Sequence, residues 1–268
     1  MVNAHSHRLG KRRGRRKLRI FVVAVVATVT LAHAAEVRAQ SAPDVVVLCD
    51  VSLREALVAA AQTWRAGSGV PVRILPASLE QNAQLVVHGT RADLLIGIGS
   101  QRIDNAQQLG ALQSAAPVVI GRDPVVLAIR GPVTQPRRLG PGDEIGGLLA
   151  EGRFGLVDTA IGSAGADART ALTAVGLWPS LEARSVGTAT PDGLRQLLSD
   201  GDVRIAALYQ SDLAASPALS VAATIPGQAP PVIAALTKDT QSPDAKSFLA
   251  FLAADGQTIL RQNGLEGP

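Results

Sequence analysis

Four short segments place hydroxylated or small residues where a strand pattern gives way to a helix pattern: Cys49-Asp50-Val51-Ser52-Leu53, Ala77-Ser78-Leu79, Gly162-Ser163-Ala164-Gly165 and Thr188-Ala189-Thr190-Pro191. The first turn of a helix carries backbone N–H groups with no intrahelical partner, and the helix dipole favours negative charge there. Several such ends converging would hold a small oxyanion by neutral donors, without Lys or Arg. Each segment also has a plainer use. Ser52 with Glu55 three residues later is a capping box, Ser78 can cap the second helix, and Ser163 can cap a helix whose close packing uses Gly165. Thr190 before Pro191 is an N-cap followed by the preferred first-turn proline. Taken one at a time, the segments leave both uses open.

Other chemistry is removed by counting. Three of the four histidines (His5, His7, His33) lie near the N-terminus, and only His88 remains further along. A multi-histidine metal site is excluded, and a Ser-His-Asp triad would have to be built on His88, which sits in a helical pattern with no nucleophile motif beside it. There is no GxSxG, no P-loop and no CxxC. The lone Cys49 falls in an apolar strand and reads as inert, so no intrachain disulfide forms and a large core must supply the stability. Beyond residue 39 the aromatics are Trp64, Phe154, Trp178, Tyr209, Phe248 and Phe251, too few for a sugar platform or an ammonium cage.

Net charge is +4, yet nine of the 26 basic residues and one of the 22 acidic ones lie in residues 1–39. The remainder, 17 basic against 21 acidic, is acidic, so no basic face for nucleic acid is expected. The basic segment precedes the apolar stretch Ile20 to Leu31 and small-residue sites at Ala32-His33-Ala34 and Val37-Arg38-Ala39, the order of a cleaved signal peptide. A periplasmic protein is expected. The Arg pairs at 12/13 and 15/16 leave general and twin-arginine export both open.

The elements that must position the four segments alternate. Asp44 to Cys49 is a continuous β-branched run of the kind buried on both faces of a parallel sheet. Leu53, Ala56, Leu57, Ala60 and Trp64 recur at helical spacing until Gly67 and Gly69. Val70 to Leu75 predicts a strand, Leu79 to His88 a helix and Ala92 to Ile98 a strand. An irregular stretch leads to a strand at Pro124 to Ile129, and Gly131 to Gly142 reads as a surface loop. The alternation then restarts: strand Phe154 to Asp158, helix Ala164 to Val175, strand Arg184 to Val186, helix Pro191 to Leu198, strand Ile205 to Tyr209. Val221 to Ile225 and Val232 to Leu236 lead back, and Asp244 to Gln262 predicts a closing helix. The fold class is α/β with two doubly wound lobes and a cleft between them. Residues 40–121 form lobe 1, 122–229 lobe 2, and 230–268 a return segment packing on lobe 1. Hinges are expected near Ile120 to Pro124 and Gly227 to Pro231.

The runs VSLREAL, GVPVRILPASLEQNAQLV, ADLLIGIG, VDTAIGSAGADARTAL and ALYQSDLAAS resemble the molybdate-binding proteins of ABC transporters, over about Asp44 to Gly264. The resemblance implies the two-lobe type II periplasmic-binding fold. It implies a non-enzymatic extracytoplasmic receptor that binds molybdate or tungstate, with no separate cofactor, and acts as a monomer with an inner-membrane ABC permease. In that family the dianion is held by a serine opening the first helix, a serine before the second, backbone amides at two helix starts in the other lobe and a tyrosine hydroxyl. Ser52, Ser78, Ala164 and Tyr209 are the corresponding expectations, with Ser163 and Thr190 beside them.

Three positions depart from the pattern. Ungapped alignment puts Leu79 at the second serine, with Ser78 one position early. Pro191 falls near an expected amide donor and has no N–H. Asp50 replaces an alanine beside the first serine; it either points away, is protonated, or faces a guest that is not a simple dianion. The alternatives are a diverged paralogue binding another small anion, or a cation through Asp50, and an extracytoplasmic enzyme, whose mark would be Asp50 beside a second carboxylate of raised pKa.

Overall fold

A computed structural model describes residues 44–268 except 144, 161, 162 and 228. The expected signal peptide, 1–39, lies outside the described residues. In chain order the elements are β1 (Val45–Cys49), α1 (Arg54–Ser68), β2 (Val72–Pro76), α2 (Leu79–Val87), β3 (Leu94–Ile98), α3 (Ser100–Gln108), β4 (Val118–Arg122), β5 (Val125–Arg130), β6 (Arg137–Arg138), α4 (Gly146–Leu149), β7 (Phe154–Val157), α5 (Ser163–Ala174), α6 (Trp178–Glu182), β8 (Ser185–Thr188), α7 (Pro191–Asp200), β9 (Ile205–Tyr209), β10 (Leu219–Thr224), β11 (Pro231–Leu236), α8 (Pro243–Ala253) and α9 (Gln257–Gln262). Two 3₁₀ turns, Val51–Leu53 and Gln210–Leu213, follow β1 and β9.

The strands form two sheets, ordered β2-β1-β3-β11-β4 and β6-β10-β5-β9-β7-β8. In the first, β1 runs parallel to β2 and β3, while β11 is antiparallel to β3 and β4. In the second, β7 runs parallel to β8 and β9, and β5 is antiparallel to β9 and β10. The chain passes between sheets twice, through Asp123–Pro124 and through the segment 225–230. The loops after β1, β2 and β3 and those after β7, β8 and β9 leave the carboxyl ends of parallel strands, where α/β folds bind ligands.

The unbroken apolar run of β1 is explained by burial on both faces. Val45, Val47 and Cys49 join the cluster that contains Leu53, Leu57 and Phe248, whereas Val46 and Leu48 pack with Leu79, Val86 and Ile103. Trp64 of α1 meets Phe248 and Phe251 of α8 at ring-centroid distances of 5.8 and 5.4 Å, fastening the returning segment to the first sheet.

Three departures from the sequence expectation have local causes. The single closing helix is two, because the chain turns at Gly256, whose N–H donates to Phe251 O and where a Cβ would lie 2.9 Å from that oxygen. The stretch expected to be irregular holds α3 and β4; α3 buries only Ile103 and Ala106, too few apolar positions to reveal its period. The surface loop 131–142 contributes β6 to the edge of the second sheet. Cys49 is buried, with its thiol pKa pushed up chiefly by desolvation, as an inert cysteine requires, and His88 is exposed beside Gln84 O.

Candidate functional site

Asp50 caps the 3₁₀ turn that opens α1, and its carboxyl is buried where the two lobes meet. Oδ1 accepts from the backbone N–H of Ser52 at 3.3 Å, and Oδ2 accepts from the Ser163 hydroxyl at 2.8 Å. Ser163 is the first residue of α5 in the other lobe. Helix α5 starts there because Gly165 lets it lie directly on the end of β7; a Cβ at that position would fall 2.0 Å from Val157 O. Ala164 is buried in the same first turn. Asp50 therefore does not point away: it accepts hydrogen bonds from two groups of the kind expected to hold a ligand oxygen. Desolvation raises its pKa, against the hydrogen bonds from Ser163 and Ser52 and the charge of Arg102, while Glu80 adds to the rise.

One helical turn beyond Ser163, Asp167 receives both Arg102 nitrogens, at 3.2 and 2.9 Å, and the Tyr209 hydroxyl at 2.5 Å. The guanidinium fork is bidentate across the lobes, and the Tyr209 hydroxyl donates to Asp167 Oδ2 beside it. Desolvation, followed by the charge of Asp167, pushes the Tyr209 hydroxyl pKa well up. A third bridge joins Arg54 of α1 to Asp192 of α7 at 3.5 Å. Arg102 and Asp167 also line a cleft of about 700 Å³, bounded by the Gly99–Ser100 turn and by the crossings at Pro124 and Thr224–Gly227. Tyr209 is fully buried and is not among the residues lining that cleft.

Beneath Ser52 is a second carboxylate cluster. Asp212 accepts the Tyr209 N–H at 3.1 Å, and the Ser52 side chain and Arg195 hold its pKa down against burial. Burial pushes the Asp212 carboxyl up to about 7. The Ser211 hydroxyl lies 3.0 Å from Ser52 O and 2.5 Å from Asp123 Oδ2, while the Ser211 N–H donates to Asp123 Oδ1 at 3.1 Å. A hydroxyl has one proton, and the Ser52 carbonyl can only accept. The proton between Ser211 and Asp123 therefore belongs to the carboxyl, in keeping with a pKa driven well above the carboxylate range by burial. Asp50 is within electrostatic reach of both acids. They are 0% and 2% exposed and turned to internal partners, so neither presents a proton to a substrate as acid–base catalysis would need.

Of the residues named from sequence, Ser52, Asp50, Ser163, Ala164 and Tyr209 gather around this interlobe contact. Ser78 lies at the adjoining strand end, one residue beyond Ala77, whose N–H donates to Cys49 O. It caps α2 by accepting from Gln81 N–H at 3.2 Å, which leaves its hydroxyl proton free. Leu79 is in the lobe core, where a Cβ on Gly97 would come 2.5 Å from its side chain. Thr190 caps α7 by accepting from Gly193 N–H, and Pro191 is buried at the first helical position. Sequence reasoning missed Arg102, Asp123, Asp167, Ser211 and Asp212. Asp167 carried one signal, being four residues after Ser163 and so on the same helix face.

The family model described as bacterial extracellular solute-binding protein matches residues 45–266. The chain belongs to that family. Solute-binding proteins bind and deliver rather than transform their ligands, in agreement with the non-enzymatic reading. The molybdate-binding protein ModA of Escherichia coli (strain K12) is 27% identical over 183 residues, 68% of this chain and 71% of that protein. Among solved structures, the periplasmic molybdate-binding protein of Azotobacter vinelandii superposes with TM-score 0.68 at 18% identity, covering 84% of this chain and all of its own. Iron-bound HitA from Pseudomonas aeruginosa superposes with TM-score 0.58 at 19% identity, over 81% of this chain and 84% of that one. The solute-binding protein thus has the type II periplasmic-binding fold. No helix among the described residues is long and apolar enough to cross a membrane.

Proposed function

We propose that this solute-binding protein receives a small tetrahedral oxyanion of the molybdate or tungstate kind outside the cytoplasm and delivers it to an ABC permease in the inner membrane. The guest sits between the lobes, held by the hydroxyls of Ser52, Ser78, Ser163 and Tyr209 and the backbone N–H of Ala164. The protein works as an exported monomer, its residues 1–39 forming the signal peptide. The carrying observation is that donors from opposite lobes, Ser52 N–H and Ser163 O–H, already meet on the oxygens of one carboxyl group. A carboxyl and one face of a tetrahedral oxyanion present comparable acceptor oxygens. The likeness to ModA over 68% of the chain supports the same class of guest.

The energetics narrow how the guest is held. An ionised Asp50 about 5 Å from a bound oxyanion opposes it by about 3 kcal/mol per ligand charge at an effective dielectric near 20. That is roughly the contribution of one or two charge-assisted hydrogen bonds, at about 1.5–3 kcal/mol each. For a dianion the opposition doubles to about 6–7 kcal/mol, which offsets roughly two to four of the five donors unless the charge on Asp50 is removed. Titration calorimetry with molybdate, tungstate, sulfate and phosphate tests the proposal. Heat with molybdate and none with sulfate is the expected result. Heat with none of the four overturns it and leaves a pocket altered toward another solute.

A further inference from the structure

We infer that Asp50 is the specificity-determining residue of the pocket: its carboxyl stands in the place of a guest oxygen, and an oxyanion enters only together with one proton, shared between Asp50 and the nearest ligand oxygen. The inference rests on the oxyanion reading above and adds the chemical form in which the guest is taken. Its basis is geometric. Oδ1 and Oδ2 of Asp50 accept from Ser52 N–H and Ser163 O–H, donors from opposite lobes, in a site almost closed to solvent. A guest that uses these donors must lie against the displaced carboxyl, and two anionic oxygens side by side in such a site repel unless a proton lies between them.

The groups around Asp50 add little to relieve that repulsion. On its own segment are Cys49, the Ser52 N–H and Arg54, whose charge is engaged by Glu55 and Asp192. From α2 comes Glu80, which raises the Asp50 pKa, and from α3 comes Arg102, which lowers it but is held bidentately by Asp167. From α5 come Ser163 and Asp167, and from β9 Tyr209, whose hydroxyl already donates to Asp167. From the first crossing comes Asp123, and from the turn after β9 Asp212, both acids. Among these described neighbours acids outnumber cations, and each cation has a carboxylate partner. The missing positive charge is supplied by a proton from solvent.

The bound state holds one more proton than the free protein and free anion, so affinity rises as pH falls. Molybdate is titrated into the protein calorimetrically at neutral pH in two buffers of different ionisation enthalpy, and its affinity is followed from about pH 6.5 to 8.5. The native protein takes up about one proton per molybdate bound, and its affinity falls about tenfold per pH unit wherever free Asp50 is ionised. Asp50→Asn, or Asp50→Ala should the amide disturb the turn, binds molybdate at least tenfold more tightly at pH 8 with no uptake and a flat profile. Asp212→Asn keeps the uptake, which separates Asp50 from the neighbouring acid that titrates near neutrality. Molybdate binding by the native protein without proton uptake, or uptake that persists in both Asp50 variants, overturns the inference and leaves the oxyanion reading standing. Absence of oxyanion binding in the native protein and in the Asp50 variants overturns both.

Discussion

Two carboxylate clusters lie close together at the meeting of the lobes, built from the same parts and put to different uses. In the inner one, Asp123 and Asp212 face Ser211, Ser52 and the backbone of β9, and both carboxyls are buried. In the outer one, Asp50 and Asp167 reach across to groups carried by the opposite lobe, Ser163 and Arg102. The inner cluster ties the first crossing to the turn after β9. On the function proposed above, the outer one is a latch, whose donors become available when the lobes part and a guest replaces Asp50.

The comparison breaks most visibly at Asp123. Asp123→Ala leaves the buried Ser211 N–H and hydroxyl without their partner, and urea denaturation should show a loss of about 2–4 kcal/mol. Asp123→Asn should cost about 1 kcal/mol or less, since its amide donates to Ser211 where the protonated carboxyl does. A large loss for Asn as well would mean that Asp123 is ionised and the proton assignment is mistaken. On the latch side, Ser52→Ala and Tyr209→Phe should each weaken molybdate binding by about 1–3 kcal/mol by calorimetry while far-UV circular dichroism stays unchanged. Silence in both would remove these hydroxyls from the pocket.

The pH dependence of stability tests the buried carboxyls of both clusters. Asp50, Asp123 and Asp212 all have folded-state pKa values above the ordinary carboxylate range, Asp212 at about 7. The folded protein therefore binds more protons than the unfolded chain between the two pKa values. Stability falls as pH rises through that window and levels off above it. Scanning calorimetry without ligand should show Tm dropping by roughly 3–8 °C between pH 5 and pH 8; a rising Tm would contradict the raised pKa values. The smallest effect belongs to the latch ion pair. Arg102→Gln should cost about 1 kcal/mol or less in stability, because both partners are partly solvated. It should still increase the radius of gyration of the unliganded protein in X-ray scattering, as the lobes part more often.

How much of this was legible in the sequence follows from range. Unbroken apolar runs such as Val45 to Cys49 and Ile205 to Tyr209 disclosed the strands, because burial on both faces writes itself into consecutive residues. Thr190 announced a helix start through local capping chemistry, whereas the cap expected at Ser52 is made by Asp50 and the Ser163 hydroxyl donates to Asp50 instead of capping its own helix. Helix α3 was silent, since only Ile103 and Ala106 face the core, and Arg102 was missed with it. Asp123 and Asp167 were missed because a paired carboxylate is recognised by its partners, and those partners lie 42 to 88 residues away for Tyr209–Asp167 and Asp123–Ser211. The oddity of Asp50 was visible in advance, but its contact with Ser163, 113 residues on, was not.

The central claim is that the donors around Asp50 are the place of the guest. Crystals grown with molybdate and measured at the molybdenum absorption edge test it most directly. The account predicts one strong anomalous peak within about 4 Å of Ser52 Oγ, Ser163 Oγ and Tyr209 Oη, with the Asp50 carboxyl turned from its present bonds or in contact with the anion. A sole peak in the cleft beside Arg138 and Thr224, with the Asp50–Ser163 bond intact, would contradict it.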